Sequence, residues 1–274
     1  MFKFEGNKIH ILGIDWQNDF CDPKGSLYVG GADEDAIRFA KLVKKLSLKL
    51  EDIHMTLDTH HRFDIAHPMF WRGSKGQHPS PFTIITVDDV QNGIWRASVP
   101  SMQPDALNYV TKLAEHARYP LCIWPEHCLI GSWGHNILPS VWDAISEWEN
   151  RPAFVDYVTK GSNFLTEHYS AVMADVEDPT DASTQLNTGL IRLLQEASDV
   201  LITGQAKSHC VANTVRDIAD NFGDDNLKKL VIIEDCMSSV GNPPGGVPDF
   251  QAMGEQFVAD MKARGLRVAK STDF

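Results

Sequence analysis

Apolar and polar positions along this chain fall into blocks that switch between two periods. Lys8 to Ile14 carries Ile9, Ile11, Leu12 and Ile14 in an almost unbroken apolar run, which predicts a strand buried on both faces and ended by Asp15. Asp33 to Leu50 places Ile37, Ala40, Leu42, Val43, Leu46 and Leu50 on one side, with lysines crowding the last turns, and predicts a helix. Asp52 to Leu57 predicts a second strand, ended by Asp58. Strand, helix, strand, with an acid at the carboxyl end of each strand, is a βαβ unit. It puts polar groups where open α/β sheets hold ligands.

The rhythm returns further on. Ala153 to Val158, Val200 to Thr203, Leu230 to Glu234 and Leu266 to Ala269 predict strands. Leu138 to Trp148, Gln185 to Ala197, Ser208 to Phe222 and Asp249 to Arg264 predict helices, the last closed by Gly265. Six strands alternating with helices predict an α/β fold, a three-layer αβα arrangement around a six-stranded, mostly parallel sheet. Residues 61 to 120 break the pattern. Gly, Pro, Ser and His are dense from Arg72 to Pro81, Phe82 to Val87 predicts an edge strand, and Asp105 to His116 a helix. This stretch is too broken to own a core, so residues 1–274 read as a single domain with an insertion at about 72–120 packed near the carboxyl edge of the sheet. Asn242 to Gly246 predicts a turn-rich loop.

Bulk properties narrow the function classes. The chain has 274 residues, 43% hydrophobic and 23% charged, an ordinary globular balance. A net charge of −12 argues against nucleic acid as a partner. No apolar run approaches the roughly 18 residues needed to span a bilayer, and Met1 to Glu5 lack a signal peptide's apolar stretch, so the expectation is a cytoplasmic protein without membrane contact. The five cysteines are scattered with no C-x-x-C pair, which excludes a zinc knuckle or a thioredoxin-type motif.

Several polar residues stand at element boundaries. Cys210 follows the turn Gly204-Gln205-Ala206, with Ser208 as the expected helix N-cap, so its thiol meets the positive end of a helix. An isolated cysteine is usually a buried small hydrophobe; the strand–turn–helix junction favours a nucleophile with N–H groups free for an oxyanion. Asp15 could act as base toward that thiol or merely cap a turn, and Lys160 could be a buried amine or a solvated one. Asp58 and His60 share one side of an extended segment and could bind one ion, with His127 completing the set across space. His67 is a possible further ligand, His61 points away, and His78, His116, His135 and His168 read as surface or core histidines. Phe20, Trp124 and Tyr169 are either core aromatics or walls for a flat ring.

Taken in order, Asp15-Trp16-Gln17-Asn18-Asp19-Phe20-Cys21, Gly25-Ser26-Leu27, Asp58-Thr59-His60, Trp124-Pro125-Glu126-His127-Cys128, Lys160-Gly161 and Ala206 through Cys210 resemble the nicotinamidase branch of the isochorismatase-like cysteine hydrolases. The resemblance implies a catalytic Asp15–Lys160–Cys210 triad, an oxyanion hole from the Ala206 and Cys210 N–H groups, and a cis peptide at Gln205–Ala206. It implies metal ligands Asp58, His60 and His127 for one divalent transition ion (zinc, manganese or iron), with Phe20 and Trp124 stacking on the substrate ring, to which Tyr169 could add a further wall. The implied reaction is hydrolysis of nicotinamide to nicotinate and ammonia through a cysteine thioester, in a homo-oligomeric enzyme of NAD salvage. A relative acting on another small amide (pyrazinamide-like, carbamoyl or ureido) and a catalytically silent binding module are the alternatives. The chain departs from the pattern twice: the stretch from His60 to Trp124 is long, and the nucleophile segment carries Lys207-Ser208-His209 where many relatives have an acid.

Overall fold

A computed structural model describes residues 2–116, 119–243 and 248–274; of His116 only the backbone is described. Pro244, Gly245 and Gly246 of the expected loop, and the His116 side chain, lie outside the described residues. Six strands form the central sheet: β1 (Ile9–Ile14), β2 (Leu50–Asp58), β3 (Asp156–Lys160), β4 (Asp199–Gly204), β5 (Leu230–Ile233) and β6 (Arg267–Ala269). All pair in parallel, in the order β6-β5-β4-β1-β2-β3. The longer helices are α1 (Ala32–Leu46), α2 (Gln103–His116), α3 (Pro139–Trp148), α4 (Thr188–Glu196), α5 (Ala212–Asn221) and α6 (Phe250–Ala263). Helix α1 packs on α3, and α5 on α6, giving the helix–sheet–helix layering. Every residue of β1 and β4 is buried, as their unbroken apolar runs require. The chain reverses its direction of travel across the sheet between β1 and β4. That switch opens a crevice at the carboxyl ends of the strands.

Local chemistry moved several boundaries. Helix α1 stops at Leu46, so Leu50 opens β2; Ile37, expected on the apolar side, is half exposed, and Phe39 is buried instead. Strand β3 starts at Asp156, because Phe154 is exposed and the pairing with β2 runs from Asp156 to Lys160. The expected strand Phe82–Val87 is confined to Ile84–Ile85, antiparallel to Leu121–Cys122. Thr86 and Asp89 form a reciprocal capping box that starts a short helix at Val87. The rest of this region holds a second antiparallel pair, Trp71–Gly73 with Trp95–Ala97, and helix α2. Among the described residues no helix is long and apolar enough to cross a membrane.

Candidate active site

Sheet register sets the first relationships. Asp58 and Lys160 are direct partners at the carboxyl ends of β2 and β3, so their side chains share a face. Ile14 partners Gly204 on β4, which brings the turns after β1 and β4 together. Gly204 has φ +126°, and a Cβ there would lie 2.0 Å from the Ile14 carbonyl oxygen, so only glycine fits. The Gln205–Ala206 peptide is cis. Cys210 then sits in a single wide turn, Lys207–Val211, that runs into α5. The cap of that turn is Ala206, not Ser208. Ser208 Oγ instead accepts a hydrogen bond from Val240 N and contacts His209 Nδ1, which leaves it no part in capping.

The acid, amine and thiol converge. Lys160 Nζ lies 3.0 Å from Asp15 Oδ2, 2.9 Å from Asp58 Oδ1 and 3.7 Å from Cys210 Sγ. Thr56 Oγ1 donates to the other Asp15 oxygen. All four charged or nucleophilic groups are buried. Burial raises the Asp15 carboxyl above its ordinary range against the pull of Lys160. Burial also pushes the Cys210 thiol well up, again against Lys160, so the resting sulfur keeps its proton. The helix start expected to favour a thiolate does not offset that desolvation. For Lys160 burial acts the other way, but Asp15 and Asp58 hold the ammonium well above its ordinary value.

Beside this trio lies the expected metal set. Asp58 Oδ2 is 3.1 Å from His60 Nε2 and 3.3 Å from His127 Nε2. His60 reaches the cluster because its N–H donates to the Cys128 carbonyl and its own carbonyl accepts from Ile130 N, which aligns the two segments. Asp19 accepts from Cys128 N at 2.7 Å and fixes the turn that presents His127, where Cys128 has φ +45°. Gln17 clamps Asp58 from both sides of its backbone, with both bonds at 2.7 Å. His60 Nδ1 is 3.0 Å from Asp64 Oδ2 and its Nε2 is 3.1 Å from Asp58 Oδ2; burial alone would lower the ring, yet Asp58 and Asp64 hold it well above its ordinary value. With Nδ1 held by Asp64, Nε2 is the nitrogen turned to Asp58, and the ~3 Å spacing of the donor atoms suits one ion that would replace the Nε2 proton, bound by two imidazoles and a carboxylate. Asp58 fits as well: burial alone would raise it, yet His60 and Lys160 hold its carboxyl well below the usual range. His67 stands behind this set, with Nε2 3.2 Å from His127 Nδ1, and is outside the group of three convergent donors.

Phe20, Trp124 and Tyr169 line one cavity with Asp58, His127 and Cys210. Trp124 Nε1 donates to Tyr169 Oη at 2.9 Å. The cavity measures about 20 Å³, room for one or two waters. Two acids that sequence reasoning passed over belong here. Asp64 orients His60, and Glu167, buried and lining the cavity, has Oε2 without a hydrogen-bond partner. Their signal was weak: Asp64 follows His60 at i+4, and Glu167 sits in an irregular loop after β3. His61 is exposed, and His168 accepts from Gly161 N as a core histidine.

No family model and no curated protein sequence matches the chain. Solved structures do. A nicotinamidase/pyrazinamidase of Acinetobacter baumannii aligns with TM-score 0.63 and 22% identity over 98% of both chains. The yeast nicotinamidase bound to the inhibitor nicotinaldehyde aligns with TM-score 0.65 and 18% identity, covering 96% of this chain and 99% of that one. The pyrazinamidase of Pyrococcus horikoshii in complex with zinc aligns with TM-score 0.54 and 17% identity, covering 96% and 99%. The chain therefore has the fold of these proteins over nearly its whole length.

Proposed function

We propose that the chain is a cysteine amidohydrolase of the nicotinamidase type, converting nicotinamide to nicotinate and ammonia. The observation that carries this reading is Lys160, within 3.0 Å of Asp15, 2.9 Å of Asp58 and 3.7 Å of Cys210. One buried amine joins a base, a nucleophile and a metal donor, which a structural lysine does not need to do. The shared fold with nicotinamidases and pyrazinamidases supports the same class.

Asp15 takes the thiol proton of Cys210, and its raised carboxyl makes it a stronger base than a solvated aspartate. The sulfur attacks the amide carbon, and the Ala206 and Cys210 N–H groups hold the oxyanion. Asp15 returns the proton to the departing ammonia, leaving a thioester. It then takes a proton from the water that cleaves the thioester, and that proton returns to the sulfur as nicotinate leaves. Lys160 keeps Asp15 and the developing thiolate in register. Asp58, His60 and His127 would hold one divalent ion, with zinc, manganese and iron all suited to the donors; when bound it supplies Lewis acidity toward a ring nitrogen. Phe20, Trp124 and Tyr169 flank the ring. A cavity of about 20 Å³ must widen to admit it, so binding requires lining side chains to move. Two contacts support an insertion at 72–120 packed near the site: Tyr109 Oη accepts from Glu167 N, and Tyr119 Oη donates to the Ser208 carbonyl. The setting is cytoplasmic salvage of pyridine rings by a homo-oligomer.

The test is ammonia release from nicotinamide and pyrazinamide by protein loaded with zinc, manganese or iron. Cys210→Ala should lose turnover and keep ring binding. Turnover retained in that variant, or no release from any ring amide by the wild type, refutes the reading.

A further inference from the structure

A second convergence of donors lies at the other end of the sheet. His10 on β1 and Asp52 and His54 on β2 each offer one ligand atom, all within 4.8 Å of one another. His54 precedes Asp58 by four residues on β2, about 13 Å away at the strand rise of ~3.3 Å per residue. The two clusters therefore share no donor.

The geometry of this cluster is that of a line. His54 Nδ1 is 2.9 Å from Asp156 Oδ2, His54 Nε2 is 3.2 Å from His10 Nδ1, and His10 Nε2 is 3.4 Å from Asp52 Oδ2. Both rings are buried, while the Asp52 and Asp156 side chains are 49% and 41% exposed, so the line opens to water through its carboxylates. With its Nδ1–H on Asp156, His54 turns a lone pair toward His10. The 3.2 Å between the facing nitrogens matches the edge of about 3.3 Å for ligands ~2.0–2.1 Å from a tetrahedral ion. A carboxylate on the outer nitrogen is the arrangement that orients a metal-binding imidazole.

We propose that His10 and His54 bind a second divalent ion of the late first row, such as zinc or copper(II), through their facing nitrogens, with Asp156 and Asp52 beside the outer nitrogens holding both rings in the ligating tautomer. Two imidazoles exclude magnesium and calcium as the fitting occupants. The ion clamps β1 to β2 at their amino ends, remote from the nucleophile. This site shares no residue with the one proposed above, although the count of two ions and the ammonia readout rest on that reading.

Zinc titration by calorimetry, with metal analysis after desalting, tests it. The wild type should take two ions per chain. His54→Gln should take one, with ammonia release unchanged. His60→Asn should lose the ion beside Asp58 and keep the other, and its copper(II) form should show nitrogen hyperfine structure in electron paramagnetic resonance. If His54→Gln fails to fold, Asp52→Asn on the exposed rim should weaken the second ion at least tenfold. A second ion that survives His54→Gln, an unchanged affinity in Asp52→Asn, or a His60→Asn protein that binds no ion overturns the proposal.

Discussion

Lys160 donates to Asp58 Oδ1 at 2.9 Å while the second oxygen of the same carboxylate faces His60 and His127. Asp58 thus joins the expected metal set to the expected triad through Lys160, and the two halves of the site form one electrostatic network. Removing the amine leaves two buried carboxylates without their shared cation. Lys160→Ala should destabilise the fold by about 3–5 kcal/mol, as for other broken buried pairs, and lower kcat at least ~100-fold. Urea unfolding and ammonia release measure both. A variant of wild-type stability would mean that the pairing carries no net weight.

Thr56 tunes the proposed base, Asp15. Its hydroxyl donates to Asp15 Oδ1 and lowers the carboxyl against the larger effect of burial, which raises it. Thr56→Val removes that bond, so the Asp15 carboxyl rises further. The basic form is then lost at higher pH, and the acid limb of the kcat profile should move upward. The pH–rate profiles of the two proteins decide the matter; a limb that stays in place separates Asp15 from proton transfer.

Asp64 would act on an ion held by Asp58, His60 and His127 only through His60, whose Nδ1 it meets at 3.0 Å. Asp64→Asn should weaken metal affinity 10–100-fold, the usual cost of losing a carboxylate behind a ligating imidazole. Competition with a chromophoric chelator reads the affinity without any turnover assay. An unchanged affinity would mean that Asp64 only packs.

The strands were legible because full burial demands continuous apolar runs, as in β1 and β4. Strand β3 was misplaced because it is an edge strand whose flank exposes Phe154 and half exposes Tyr157, so its composition carries little periodic information. Asp58 and His60 could be paired from the two-residue period of extended backbone. The positions of His127, Gln17 and Asp64 could not be derived that way. His127 depends on Asp19 holding Cys128 N, Gln17 on a backbone clamp across 41 positions, and Asp64 on a loop that turns back under His60. Such contacts are set by tertiary packing, which leaves no local pattern. The capping box at Thr86 and Asp89 was present in the sequence and overrode the strand read there.

Glu167 gives the fold a pH dependence of its own. Burial, opposed in part by His60, raises its carboxyl from 4.5 to about 8. The folded protein therefore keeps a proton over a window in which the unfolded chain has lost it. Stability linked to this group falls as pH rises from about 4.5 to about 8 and is level outside that window, with a slope of at most ~1.4 kcal/mol per pH unit. Glu167→Gln has no proton to lose, so its stability should overtake that of the wild type progressively across the window. Urea midpoints at four pH values between 5 and 8, taken in chelator so that no ion adds its own linkage, give the difference directly. Parallel curves for the two proteins would show that this carboxyl is charged, and paired, inside the fold.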